Sequence, residues 1–223
     1  MKNKKQGILF DLDGTLWDSA QGVVDSWNVV LERFSDVDKV MTVEDIHGCM
    51  GLPMDEIGRK RFGGMGLSEE RITEIMIACE EYENEYLTEH GGVLYPHLED
   101  VLKILSKEYF LAIVSNCQVG YIEAFLTYHK LGRYFDDTEN FGNTGLQKWD
   151  NMRLVCERNQ LTSALYVGDI QRDYEAACKA ELPFIHAAYG FGMIRDRVPE
   201  IRSLIELPNV VKDVFGAMEA KQQ

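Results

Sequence analysis

The chain has 223 residues and a formal net charge of −14, and this length suits one large domain or a domain with a substantial insertion. The acidity argues against binding to nucleic acid or to an anionic membrane surface, because both partners require a basic protein surface. The five cysteines form an odd set without C-x-x-C spacing, which argues against a disulfide framework or a zinc site and fits a reducing cytoplasm.

Targeting and linker signals are also missing from the sequence. No stretch is long and apolar enough to cross a bilayer, and the apolar run after residues 1–5 is too short for a signal peptide. We therefore expect a cytoplasmic protein without a leader. Because no internal repeat or Pro/Gly/Ser-rich linker is present, any second domain should be an insertion with tight connections.

An acidic pair follows the first predicted strand. Residues 8–10 belong to an apolar run that predicts a buried strand, and Asp11 and Asp13 come directly after it. Side chains two positions apart on an extended segment point the same way, so these carboxylates repel each other unless a cation or a shared proton separates them. Gly14 permits a sharp turn, and Thr15 adds a hydroxyl to a possible anion cradle. Taken alone, the stretch is also typical of an ordinary acidic turn.

Residues 17–92 are predicted to be entirely helical. Apolar residues recur at three- and four-residue steps in the first part of this segment, which is typical of an amphipathic helix. Thr42 predicts the start of a short helix. Ser68, followed by two glutamates, predicts the start of a long helix that ends near Gly91. We therefore expect a compact helical insertion.

After residue 95 the pattern changes to alternating helices and strands. Apolar runs predict further strands at residues 109–114, 140–142, 164–167, 184–188 and 209–211. Repeated βα units predict an α/β fold with a Rossmann-like parallel sheet and helices on both faces. We expect a core domain of residues 1–16 and 93–223, with residues 17–92 inserted into it.

Polar side chains follow several of these strands where each strand ends. Ser115 and Asn116 follow one strand, Asp169 follows another, and Lys148 begins a helix after a short strand. Ligands of parallel sheets bind at the carboxyl ends of the strands, so we expect these side chains to meet the first acidic pair. Alone, Ser115 and Asn116 are also typical of a helix cap, and Asp173 is typical of a first helical turn.

Together these motifs resemble those of the haloacid dehalogenase superfamily, in its phosphoglycolate phosphatase-like branch with a helical cap. The family's motifs match, in order, residues 11–15, Ser115, Lys148, and Asp169 with Asp173. The helical insertion falls between the first and second motifs, where the family places its smaller cap. The resemblance implies an inserted all-helical cap domain and a Mg²⁺-dependent phosphatase that hydrolyses a small phosphate monoester through an aspartyl-phosphate intermediate.

The resemblance also implies a role for each matched residue. Asp11 would be the nucleophile, Asp13 the general acid and base, and Lys148 would neutralise charge on the nucleophile and the phosphoryl group. Mg²⁺ prefers oxygen ligands and would be held by Asp11, Asp169 and Asp13, the last through its backbone carbonyl. Asp173 would orient Lys148 or a metal-bound water. The phosphate would be held by Gly14, Thr15, Ser115, Asn116 and Lys148.

Two other functions remain open. Phosphoglucomutase-type members share the core, the motifs and the class of cap, but residues 47–53 include no arginine or lysine that would bind a second phosphate. Nearby Arg59, Lys60 and Arg61 are predicted to lie on a solvated helix face. A non-catalytic binding protein with this fold would show no turnover of phosphate esters. We expect a small phosphorylated metabolite as the partner, neither nucleic acid nor membrane, and a monomer or homodimer.

Overall fold

A parallel sheet of six strands organises the protein in a computed structural model that describes residues 5–220. The basic residues 1–4 and the last residues 221–223 lie outside the described residues. The described residues form eight strands: β1 (Gln6–Phe10), β2 (Trp17–Asp18), β3 (Val93–Leu94), β4 (Phe110–Ser115), β5 (Asp137–Asn140), β6 (Ser163–Gly168), β7 (Phe184–Ala187) and β8 (Glu200–Ile201). All of them except β2 and β3 belong to the sheet. The sheet order is β5-β4-β1-β6-β7-β8, and every neighbouring pair is parallel. The predicted parallel α/β fold is therefore confirmed.

Helices cover both faces of this sheet. The helices of the described residues are α1 (Ala20–Leu31), α2 (Val43–His47), α3 (Met54–Phe62), α4 (Glu69–His90), α5 (Leu98–Leu105), α6 (Tyr121–His129), α7 (Phe141–Thr144), α8 (Lys148–Arg158), α9 (Gln171–Lys179) and α10 (Leu207–Ala220), of which α1 to α4 belong to the insertion. Successive residues of a strand face opposite sides, so Ile8 packs in a cluster with residues of α5 and α10, while Leu9 packs with residues of α8 and α9. Burial on both faces explains the continuous apolar runs of β4 and β6.

Helices α1 to α4 lie between β2 and β3, which pair with each other in antiparallel fashion. The predicted starts at Thr42 and Ser68 are confirmed, because each side chain accepts a hydrogen bond from a backbone N–H in the first turn of its helix. The expectation of an entirely helical segment is wrong at its start, where Trp17 pairs with Leu94. Among the described residues, no helix combines the length and the apolar character that crossing a bilayer requires.

Two predicted strands are wrong. The strand expected at residues 140–142 ends at Asn140, whose side chain accepts a hydrogen bond from the backbone N–H of Asn143 and so begins α7. The strand expected at residues 209–211 is part of α10. Its β-branched pair favours a strand locally, but Val211 and Phe215 are buried one helical turn apart on the face of α10 that packs on the core.

Candidate active site

The carboxyl ends of β1, β4 and β6 meet at the centre of the sheet, because β1 pairs with β4 on one side and with β6 on the other. The strand order reverses here, since β5 lies beyond β4 and β7 lies beyond β6. Asp11, Ser115 and Asp169 lie at these three strand ends, and all three are buried. The position is therefore the one where open parallel sheets bind their ligands.

Lys148, the first residue of α8, bridges two carboxylates. Its Nζ lies 3.0 Å from Asp11 Oδ1 and 2.7 Å from Asp173 Oδ1, and its side chain is only 4% exposed. The other oxygen of Asp173 accepts hydrogen bonds from the backbone N–H groups of Asp169 and Ile170. Burial lowers the pKa of Lys148, but Asp11 and Asp173 outweigh this effect and raise the pKa above its ordinary value. Lys148 is therefore a charged buried group next to Asp11.

Three buried carboxylates form a group that fits a divalent cation. Asp11, Asp169 and Asp173 each offer an oxygen atom within 4.8 Å of the others. Burial and the neighbouring carboxylates raise the pKa of Asp11 to about 7 and that of Asp169 well above its usual value, while Lys148 acts in the opposite direction. Because carboxylate oxygens are the ligands that Mg²⁺ prefers and a cation would relieve this repulsion, the residues present fit the metal.

The carboxyl group of Asp13 faces a different set of partners. Its Oδ1 accepts a hydrogen bond from Ser19 Oγ at 2.6 Å and lies 2.9 Å from the hydroxyl of Tyr121. Burial raises the pKa of Asp13, and these hydrogen bonds act against the rise. The side chain of Asp13 is outside the group of three carboxylates, so only its backbone carbonyl is left as the predicted metal ligand.

Gly14 and Asp169 approach each other closely. Gly14 has φ +75°, and a Cβ at this position would overlap with Asp169 Oδ2 and with the ring of Phe191. The backbone N–H of Phe191 donates to the same carboxylate oxygen at 2.7 Å. Nε2 of His186 lies 3.1 Å from the backbone oxygen of Asp169. Only glycine permits both this backbone conformation and this approach.

The predicted phosphate ligands differ in their surroundings. Thr15 is fully buried, and its Oγ1 has no hydrogen-bond partner within residues 5–220. An unpaired buried hydroxyl costs free energy unless a ligand satisfies it, so Thr15 fits an anion site. Ser115 lines a cavity together with Asp11. The side chain of Asn116 instead donates to the backbone oxygen of Gly51 at 3.0 Å, which leaves its backbone for the predicted phosphate contact.

A cavity lies between the strand ends and the helical insertion. Asp11, Asp13 and Ser115 line it on the side of the sheet. The insertion contributes mainly apolar walls, from Val23, Trp27, Ile46, Cys49, Met50, Leu52, Met54 and Ile57. Glu83 and Gln118 also line it, and no lysine or arginine of the described residues does.

The basic residues of α3 form ion pairs or hydrogen bonds with other residues of the insertion. Arg59 and Arg61 form ion pairs with aspartates of the insertion, and Lys60 donates a hydrogen bond to the backbone oxygen of Gly48. The prediction that all three side chains lie on a solvated face is wrong for Arg61, whose side chain is only 13% exposed. None of the three lines the cavity.

Sequence reasoning missed several residues of the site. Ser19 and Tyr121, which contact Asp13, lie at the starts of α1 and α6, and nothing local distinguishes them from ordinary helix-start residues. Glu83 has a signal that the sequence does carry. It lies four positions after Cys79 and four before Leu87 on the buried stripe of α4, where a carboxylate is unusual.

Comparison with known proteins agrees with this geometry. The model of the haloacid dehalogenase-like hydrolase family matches residues 8–187. The phosphoglycolate phosphatase of Pseudomonas fluorescens is 28% identical over 208 aligned positions, which cover 89% of this chain and 75% of that protein. The phosphoglycolate phosphatase of Escherichia coli K12 is 27% identical over 214 positions, which cover 83% of this chain and 82% of that protein.

Solved structures extend the likeness over nearly the whole chain. A predicted phosphatase from Clostridium acetobutylicum superposes with a TM-score of 0.77 at 26% identity, covering 94% of this chain and 99% of that one. A predicted phosphoglycolate phosphatase from Haemophilus somnus has a TM-score of 0.78 over 95% of this chain and 99% of that one, and its 21% identity shows the fold alone. Because the family match runs from the first strand to β7, the chain belongs to the haloacid dehalogenase-like hydrolase family.

Proposed function

We propose that the protein is a Mg²⁺-dependent phosphatase that hydrolyses a small phosphate monoester through an aspartyl-phosphate on Asp11. The observation that carries the proposal is the buried bridge from Lys148 to Asp11 and Asp173, next to Asp169. A carboxylate attacks an anionic phosphate only where positive charge offsets their repulsion, and this site supplies such charge. The names of the relatives make phosphoglycolate the first ester to consider.

In the first half-reaction an oxygen of Asp11 attacks phosphorus, and the bond from phosphorus to the ester oxygen breaks. Asp13 gives its proton to the departing alcohol oxygen. Burial raises the pKa of Asp13, which is the direction of shift that a proton donor requires. The contacts from Ser19 and Tyr121 hold the carboxyl group in place.

In the second half-reaction Asp13, now ionised, accepts a proton from a water molecule. The water oxygen attacks phosphorus, and the bond between phosphorus and Asp11 breaks, which releases phosphate and restores both carboxyl groups. The same group serves as acid and then as base, as microscopic reversibility allows.

The metal and the phosphate would be held by different atoms. Carboxylate oxygens of Asp11 and Asp169 and the backbone carbonyl of Asp13 would bind Mg²⁺, with Asp173 orienting Lys148. The chemistry that the ion supplies when bound is neutralisation of negative charge on the phosphate and on Asp11. The phosphoryl oxygens would be held by Lys148, the hydroxyl groups of Thr15 and Ser115, and the backbone of Gly14 and Asn116.

The proposal includes a division into a core and a cap. Residues 1–16 and 93–223 would form the core domain, and residues 17–92 would form the cap that covers the site and excludes water. The apolar walls that the insertion contributes to the cavity support this division. The mutase alternative has less support, since no described lysine or arginine lines the cavity to bind a second phosphate.

The test is phosphate release from a panel of small phosphate esters, with Mg²⁺ and with a chelator. We expect metal-dependent release that Asp11→Asn lowers roughly a thousandfold or more, because the nucleophile is lost. Asp213→Asn, on the exposed face of α10, is the matched control and should keep full activity. Equal rates for Asp11→Asn and the wild type would refute the proposal, and the absence of release from every ester would favour a binding protein.

A further inference from the structure

Glu83 is a buried carboxyl group on the cap side of the cavity. It lies in the middle of α4, is 3% exposed and contributes to the cavity wall. The indole N–H of Trp27 donates to its Oε2, and Nε2 of Gln118 donates to its Oε1 at 3.1 Å. Neither the proposed phosphoryl transfer nor the proposed metal site uses this group.

The surroundings of Glu83 leave it incompletely satisfied. A carboxylate has about four acceptor positions, and Trp27 and Gln118 fill two of them. No basic side chain within residues 5–220 forms an ion pair with it. Burial is the main cause that raises the pKa of Glu83 to about 8, and its two donors act against the rise. A ligand that brings a hydrogen-bond donor would therefore stabilise its ionised form.

The cavity does not suit a substrate that carries a second negatively charged group beside its phosphate. Its cap walls are mainly apolar, and its polar groups include the carboxyl groups of Asp13 and Glu83. Lys148, on the phosphate side of the site, is already held by Asp11 and Asp173. A carboxylate on the leaving group would lose its water among mainly apolar walls and would find no cation in the lining of the cavity to replace that water.

We propose that Glu83, oriented by Trp27 and Gln118, is the specificity residue for the leaving alcohol and selects phosphate monoesters that carry a hydroxyl or ammonium donor on a small carbon frame and no carboxylate. This inference rests on the proposed phosphatase function and narrows its substrate class. It predicts that phosphoglycolate, the substrate that the names of the relatives state, is a poor substrate of this protein, because phosphoglycolate carries a carboxylate.

A matched series of two-carbon esters tests the proposal. The series is ethyl phosphate, 2-hydroxyethyl phosphate, 2-aminoethyl phosphate and phosphoglycolate, and kcat/KM is measured for each with Mg²⁺. The three-carbon homologues are measured as well, to allow for the distance between the phosphate site and Glu83. We expect the hydroxyl and ammonium esters to exceed phosphoglycolate by about tenfold or more, the size of a hydrogen bond to a charged group. A best rate with phosphoglycolate would overturn the proposal.

Two variants separate specificity from a structural role. Glu83→Gln keeps the shape of the side chain and removes its charge, so the advantage of the donor-bearing esters should shrink by about tenfold. Glu85→Gln, on the exposed side of the same helix, should keep the wild-type ranking. A Glu83→Gln effect of equal size on all esters would show that Glu83 only anchors α4, and would overturn the proposal. The wild-type ranking alone decides the question where the variant fails to fold.

Binding distinguishes failure of this inference from failure of the phosphatase proposal. Calorimetric titration of the four intact esters into Asp11→Asn, in the presence of Mg²⁺, needs no turnover. If no ester is hydrolysed, the phosphatase proposal fails, and the binding order still tests Glu83. If the esters are hydrolysed but both the rates and the affinities favour phosphoglycolate, the inference about Glu83 fails alone.

Discussion

At the scale of single residues, the close approach of Gly14 to Asp169 restricts position 14 to glycine. The positive φ of Gly14 turns the chain directly after the acidic pair, and the absence of a side chain leaves room for a carboxylate oxygen. The N–H of Phe191 donates a hydrogen bond to the same oxygen of Asp169. Displacement of the Asp169 carboxylate would therefore break this hydrogen bond and disturb the proposed metal site.

We expect Gly14→Ala to weaken Mg²⁺ binding by at least about tenfold, because the new Cβ would push away a carboxylate that provides a charge-assisted contact. Metal titration by calorimetry measures the effect, and kcat/KM should fall with it.

Gly66→Ala is the matched control for this substitution. Gly66 has nearly the same φ, +74°, but nothing lies within 4 Å of the Cβ position. Both variants should lose roughly 1–2 kcal/mol of stability, since alanine is strained at positive φ. Equal Mg²⁺ affinity in the two variants would contradict the proposed role of Asp169.

Residues of the site could be predicted from the sequence where a local pattern marked them. Asp11 and Asp169 could be predicted because each stands directly after an apolar run that forms a central strand. Tyr121 could not, because it meets Asp13 from a position 108 residues further along the chain. The pairing of Glu83 with Trp27 spans 56 positions and depends on how α4 packs on α1, which no local pattern encodes.

At the scale of elements, the loop between α2 and α3 closes one side of the cavity. The Asn116 side chain binds the backbone oxygen of Gly51 in this loop. An exposed ion pair of 3.3 Å between Arg172 of α9 and Glu56 of α3 joins the insertion to the core nearby. The loop therefore depends on the residue that follows β4 for its position over the site.

We expect Asn116→Ala to raise KM for the best ester by about three- to tenfold, the value of one hydrogen bond, and to leave kcat nearly unchanged. Steady-state kinetics measure both constants. Arg172→Gln removes the exposed ion pair between the same two parts of the molecule and should change KM less, because such pairs contribute little. A large loss of kcat with unchanged KM in Asn116→Ala would instead place this side chain on the transferring phosphoryl group.

Element boundaries could be predicted where a capping residue marked them, as at Thr42 and Ser68. The exceptions are segments where local propensity and packing disagree. Val210 and Val211 favour a strand as a pair, but their spacing relative to Leu207 and Phe215 suits a helix that packs on the core. The antiparallel pair of Trp17 with Leu94 is too short to leave a periodic signal in the sequence.

At the scale of the whole molecule, the alternation of helices and strands was enough to predict a parallel sheet with helices on both faces. It was not enough to predict the order of the strands, because the side on which each new strand pairs depends on contacts far apart in sequence. The observed order places β1 between β4 and β6 and so brings together polar residues separated by more than a hundred positions. This convergence supports a phosphoryl-transfer site at the centre of the sheet.

In the proposed mechanism, Asp11 carries the phosphoryl group between the two half-reactions. The most direct measurement is mass spectrometry of the peptide that contains Asp11, after the protein is mixed with Mg²⁺ and its best ester and quenched in acid. We expect one phosphoryl group on this peptide and none in Asp11→Asn. With an ester whose leaving group departs without a proton, such as 4-nitrophenyl phosphate, Asp13→Asn should retain more of the phosphoryl group, because only water activation is then slowed. Phosphate release by the wild type, with the Asp11 peptide unmodified in both the wild type and Asp13→Asn, would contradict the claim.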